Sequence, residues 1–106
     1  MPSTNPTPFT GSIETEQRAK IFAALSDPTR LRMVELLAQK SELSGSEIAN
    51  QLGISLALYC HHAKTLTDVG LVRIRRDGQT RYNSLNQELL FQCFKSFEGL
   101  CQRDEG

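Results

Sequence analysis

A single glycine between two apolar-periodic runs constrains this chain more than any other feature. In EIANQLGISLALYCHHAKTL (Glu47 to Leu66), Gly53 follows Ile48, Ala49 and Leu52, the place where a left-handed residue closes a helix. Ser55 then offers a side-chain oxygen to the free N–H groups of a second helix. Two short helices joined by a tight turn with glycine make the helix-turn-helix pattern, whose second helix lies in the major groove of DNA.

Helical angle, at about 100° per residue, divides that second helix into two sides. Ser55, Leu58, Tyr59, His62, Leu66 and Val69 fall on one side and are expected inside. Leu56, Ala57, Cys60, His61 and Lys64 fall towards the other and are expected to face the groove. Cys60 therefore lies near the centre of the reading face. His61 and His62 diverge by about 100°, which reads as one DNA-facing and one core histidine rather than a metal pair.

Upstream, the spacing predicts a helix from Ser12 to Leu25 with Ile21, Phe22 and Leu25 inward, and another from Pro28 to Gln39. Asp27 or Ser26 caps the second, and Pro28 fits its first position. Leu31, Val34, Leu37 and Ala38 are its expected inner stripe, with Arg30 and Arg32 solvated. Ser44-Gly45-Ser46-Glu47 is a capping box that opens the third helix.

After Gly70 the period changes to two. Leu71 to Arg76 and Gln79 to Ser84 alternate on either side of Asp77-Gly78, a hairpin signal. Val72, Ile74 and Tyr82 are expected to face inward. Arg73, Arg75 and Arg81 share odd-numbered parity and are expected on one side. An arginine-bearing hairpin directly after a recognition helix reads as a wing, suited to backbone or minor-groove contact.

Asn86 caps a last helix running to Cys101. Leu89, Leu90, Cys93, Phe94, Phe97, Leu100 and Cys101 form a stripe about 140° wide. A chain of 106 residues has little left to cover it, so a second copy across a two-fold axis is expected, with Phe22 of the first helix joining the interface. Cys93 and Cys101 are separated by roughly 12 Å of helical rise, beyond disulfide reach within one chain. They read either as small hydrophobes of the stripe or as thiols meeting the partner copy.

The length suits one small domain: a loose Pro-containing arm at 1–11, a folded unit at 12–102 and a tail at 103–106. The formal charge is zero, so a nucleic-acid role rests on charge location. Lys64, Arg73, Arg75, Arg76 and Arg81 cluster against only Asp68 and Asp77. Three cysteines without a framework spacing and no signal peptide or membrane-length apolar run point to a reducing, cytoplasmic setting. No phosphate loop, apolar-set carboxylate pair or nucleophile with a placed base is visible, so an enzyme is not expected.

The order helix, helix, helix-turn-helix, wing, helix resembles the ArsR/SmtB family of winged-helix repressors. ALSDPTRLR (Ala24 to Arg32), SELSGSEIANQLGIS (Ser41 to Ser55), CHHAKTL (Cys60 to Leu66) and GLVRIRRDGQTRYNSL (Gly70 to Leu85) follow in that family's order and spacing. The resemblance implies a mainly α fold of about five helices with a two-stranded wing. It also implies a homodimer joined through the first and last helices, and repression at a double-stranded DNA operator until a metal, metalloid or oxidant intervenes. At the positions of the family's Cys-x-Cys site this chain has Ser44 and Ser46. At those of its zinc site it has Gln87 and Leu89, then Leu100 and Arg103. These cannot replace thiolate, imidazole and carboxylate, so no metal or other cofactor is expected.

The recognition helix departs too: Leu56, Ala57 and Cys60 stand where the family has Gln and Ser. Leu and Ala offer base edges no hydrogen bond, though they can touch a thymine methyl. The expected DNA-contacting set is Ser44, Ser46, Ser55, Leu56, Ala57, Cys60, His61, Lys64, Arg73, Arg75, Arg76, Gln79 and Arg81. Cys60, Cys93 and Cys101 are the candidate thiols for sensing an oxidant, reactive sulfur or thiophilic metalloid. The inducer is open, and the alternative is a sensor-less winged-helix dimer acting constitutively or by protein contact.

Overall fold

The computed structural model describes residues 13–98. The arm at 1–11, Ser12, Leu100, Cys101 and the tail at 103–106 lie outside them. The described chain runs α1 (Thr15–Leu25), α2 (Pro28–Gln39), β1 (Leu43–Ser44), α3 (Gly45–Leu52), α4 (Leu56–Asp68), β2 (Val72–Asp77), β3 (Thr80–Leu85) and α5 (Gln87–Lys95). The strands form one antiparallel sheet in the order β1-β3-β2.

Local chemistry accounts for most boundaries. The Asp27 carboxylate accepts from Arg30 N at 3.0 Å and Pro28 supplies the first position of α2. Ser44 Oγ accepts from Glu47 N at 3.1 Å while Glu47 Oε1 accepts from Ser44 N at 2.8 Å, closing the capping box of α3. Gly53, at φ +67°, ends α3 in the left-handed conformation. Ser55 and Asn86 cap α4 and α5 through Leu58 N and Leu89 N. Asn86 also donates to Gly70 O at 3.1 Å, tying the start of α5 to the end of α4.

Ile21, Met33, Leu37, Ile48, Leu66 and Leu71 are fully buried and form the centre of the core. The inner face of α2 differs from the expected one. It is centred near Leu37, so Met33, about 40° away, is buried, while Leu31 is about 120° away and exposed. Ala38 is exposed as well. In α4 Ala63 is buried, and Leu58, about 80° round from Leu66, stands at the rim and is exposed. α1 begins at Thr15 behind Glu14, which makes no side-chain cap. The regular part of α5 runs to Lys95, with Ser96 as its C-cap; the expected end at Cys101 lies outside the described residues.

The hairpin register corrects the wing. Asp77 pairs with Thr80, so the turn has two residues, Gly78 (φ +64°) and Gln79. Directly opposed residues share a face. With this turn, odd positions on β2 oppose even positions on β3. Arg75 faces with Tyr82 and Arg73 with Ser84, whereas Arg76 faces with Arg81, Ile74 with Asn83 and Val72 with Leu85. Arg81 is thus separated from Arg73 and Arg75, and Tyr82 from Val72 and Ile74. The two-residue strand β1, pairing Leu43 with Asn83 and Ser44 with Tyr82, was not foreseen. No described helix is long and apolar enough to cross a membrane.

Candidate nucleic-acid interface

Leu56, Ala57, Cys60, His61 and Lys64 are all exposed along the outer side of α4. The opposite side carries Tyr59, His62, Ala63 and Leu66, all buried. Lys64 pairs with Asp68 at 3.1 Å one turn on. Both are largely solvated, and such a pair contributes little, so the ammonium can exchange that partner for a phosphate.

Beside this face lies a groove of about 400 Å³. Leu56 and Cys60 of α4 line one wall, Ser44 and Ser46 at the start of α3 another, and Gln79, Thr80 and Arg81 at the wing tip a third. Six of the thirteen residues expected to contact DNA therefore line one groove, with Ala57, His61 and Lys64 on the helix face beside it. Two hydroxyls of that set already have local duties, since Ser44 is held in the capping box and Ser55 caps α4. Arg76 stands directly opposite Arg81 on the same sheet face. Like charges so placed repel one another, and an anion between them relieves the repulsion.

Arg73 and Arg75 lie on the other face. Arg75 is engaged there: Nε and Nη2 each donate to Glu42 at 3.0 Å, and its guanidinium stacks 4.6 Å from the centre of the Tyr82 ring. The hydrogen bond from Arg75 holds the Glu42 carboxyl below its ordinary range. Glu42 was missed because it is remote in sequence from the strand it anchors.

The reading helix is fixed from behind by polar groups that sequence reasoning also missed. Tyr59 Oη donates to Asn83 Oδ1 at 2.8 Å, and Asn83 Nδ2 donates to Leu43 O at 3.2 Å. Both side chains are fully buried. The signal was available in the turn: with Asp77 and Thr80 as the closing pair, Asn83 falls on the inward face. Arg30, expected in solvent, is half-buried and reaches Ala24 O at 2.7 Å and His62 Nδ1 at 3.0 Å.

The remaining thiols and the apolar stripe divide. Cys93 is fully buried within its own chain and burial pushes its thiol up. It therefore offers no surface to a partner, contrary to its expected place in the interface, and sits as a packed hydrophobe. Phe22 of α1 meets Phe94 and Phe97 at centroid distances of 5.8 and 5.7 Å. Phe91, Phe94 and Phe97 remain exposed, while Leu89 and Leu90 are half-buried.

The described residues at the metal positions that the resemblance implies do not fit an ion. Ser44 Oγ is committed to Glu47 N, and Gln87 and Leu89 bring an amide and a hydrocarbon. Among the described residues, no three His, Cys, Asp or Glu side chains converge to hold one.

A model described as a helix-turn-helix domain matches residues 25–75. The arsenical resistance operon repressor of Staphylococcus xylosus is 30% identical over 91 residues, covering 86% of this chain and 86% of that one. The chain belongs to the ArsR/SmtB family. A cadmium resistance transcriptional regulatory protein CadC homolog of Staphylococcus aureus is 37% identical over 70 residues. That match covers 66% of this chain and 58% of the regulator, so the chain spans less than two thirds of its length. The homodimeric winged helix-turn-helix DNA-binding domain of a Mycobacterium bovis protein, described as a possible ArsR-family regulator, has the same fold. Its TM-score is 0.63 at 26% identity, with 86% of this chain and 89% of that one covered. This ArsR/SmtB member thus has its family's fold with serines at the Cys-x-Cys positions and an exposed cysteine on the outer side of α4.

Proposed function

We propose that the protein is a homodimeric, DNA-binding transcriptional repressor. The observation that carries this reading is the Arg76–Arg81 pair, two facing cations at the wing end, of which Arg81 lines the groove beside the outer side of α4. A phosphate offsets their repulsion, and phosphate contacts fix the register of a helix in the groove. The repressor and homodimer roles of its relatives support the same reading. The exposed Phe91 and Phe94, with Phe97 and Phe22, supply an apolar surface for a second copy.

Relief of repression is assigned to Cys60. The thiol is exposed in the groove beside Leu56 and Arg81. Attack of its thiolate on a peroxide forms an S–O bond, breaks the O–O bond and releases hydroxide, leaving a sulfenic acid. That adduct, or a larger mixed disulfide, stands where the base edges pass. The test is binding of a labelled duplex from the DNA upstream of the protein's own coding sequence, with and without peroxide. Salt-dependent binding that peroxide abolishes in the parent but not in Cys60→Ser supports the reading. An intact peroxide response in Cys60→Ser removes the thiol assignment, and no salt-dependent binding removes the DNA reading itself.

A further inference from the structure

Arg30 joins three helices. Its backbone N donates to Asp27, its Nε donates to Ala24 O in the last turn of α1, and its Nη1 lies 3.0 Å from His62 Nδ1 in the middle of α4. A guanidinium has only donors. Nδ1 is therefore the acceptor, and His62 is neutral with its proton on Nε2. His62 is only 7% exposed, so this bond is one of the few polar ties between the recognition helix and the α1–α2 corner.

The same nitrogen has a second suitor. Asp27 Oδ2 lies 3.8 Å from Nδ1, a spectator while Nδ1 has no proton. A proton at Nδ1 turns it from acceptor to donor. It then repels the Arg30 guanidinium and attracts Asp27, whose carboxylate is engaged in capping α2 through Arg30 N. The titratable and charged groups facing His62 are Asp27 and Arg30 from α2 and its cap, and His61 from α4 itself; on the α1 side, the Ala24 carbonyl accepts from Arg30 Nε. Burial first, and Arg30 and His61 after it, hold His62 below its ordinary range against the pull of Asp27. Its neutral form is thus the one the fold is built on.

We propose that Arg30 is a positioning residue for DNA recognition: it sets the pose of α4 through neutral His62, and a proton taken up at Nδ1 releases that helix. The proposal rests on the DNA-binding reading. It places acid sensitivity in a contact behind the reading face, away from every group that touches DNA.

The experiment follows duplex affinity between about pH 5 and 8 at fixed salt, using the upstream-DNA duplex. Every protein compared carries His61→Asn, so that the exposed neighbour does not titrate. The reference protein is expected to lose about tenfold or more in affinity towards the acid end, the effect of one lost charge-assisted bond. His62→Gln accepts from Arg30 through its side-chain carbonyl but cannot titrate, and it is expected to bind with a flat profile. Thermal melting checks that it is folded. A nitrogen-15 shift measurement on the parent reads the tautomer directly and needs no variant at position 62. An Nε2–H tautomer at neutral pH is expected, and an Nδ1–H tautomer overturns the proposal. So does a folded His62→Gln that keeps the reference protein's pH dependence. Absence of duplex binding by the parent, with His61 intact, at every pH overturns the DNA-binding reading and the proposal with it, whereas binding with a flat reference profile overturns the proposal alone.

Discussion

Glu42 grips Arg75 with both oxygens, each 3.0 Å from a guanidinium nitrogen, and so pins the wing to the segment that precedes β1. The pair is exposed enough that solvent screens it, yet the two-pronged geometry fixes orientation. A carboxyl held below its ordinary range adds stability above its unfolded pKa, and that stability is lost as pH falls through the folded value. Urea denaturation at a series of acid pH values is therefore expected to show a smaller decline for Glu42→Gln than for the parent. An equal decline in both proteins contradicts this anchor.

Gly45, at the start of α3, lies against the ring of Tyr59 on α4. A Cβ there would lie 2.6 Å from Tyr59 Cε2 and 2.8 Å from Cζ, and the ring is held in place by Asn83. Gly45→Ala is expected to cost about 1–3 kcal/mol through overpacking and to weaken duplex binding by tilting α4. Denaturant midpoints and duplex titrations check both effects.

The buried chain Tyr59–Asn83–Leu43 joins the recognition helix to β3 and β1. Asn83→Ala strands the Tyr59 hydroxyl and removes a side-chain donor from the Leu43 carbonyl, at about 1–3 kcal/mol for a buried group left unsatisfied. Adding Tyr59→Phe to Asn83→Ala is expected to recover part of that loss in a double-mutant cycle. Additive losses contradict the coupling.

Much of this architecture was legible because local chemistry decides it. Gly53, Ser55, the Ser44–Glu47 box, Asp27-Pro28 and Asn86 each fix a helix end with the next few residues alone. What escaped depends on register or on distant partners. Odd-numbered parity grouped Arg81 with Arg73 and Arg75, but a two-residue turn exchanges parity between strands and sets Arg81 against Arg76. Arg30 looked solvated by helical angle, yet its long side chain reaches back to Ala24 and across to His62. Cys93 read as a small hydrophobe of the stripe or as a thiol meeting the partner copy. The surroundings of α5, invisible in a linear pattern, bury it within its own chain.

The apolar end of the molecule carries its own expectation. Phe94 is about half exposed and touches Phe22, so Phe94→Glu leaves the core intact while placing a charge in the proposed dimer surface. Sedimentation is expected to show a monomer. Duplex affinity is expected to fall about a hundredfold or more, as two linked contacts become one. An unchanged dimer removes this surface from the account.

The salt dependence of duplex binding in wing-arginine variants tests the central claim most directly. Each phosphate contact removed lowers the log–log slope by about 0.9. Arg76→Ala and Arg81→Ala are each expected to reduce the slope by about that amount for every copy bound, and Arg75→Ala, whose charge is spent on Glu42, to leave it unchanged. A slope that falls with Arg75→Ala and holds with the other two would contradict the assignment of the Arg76–Arg81 face to DNA.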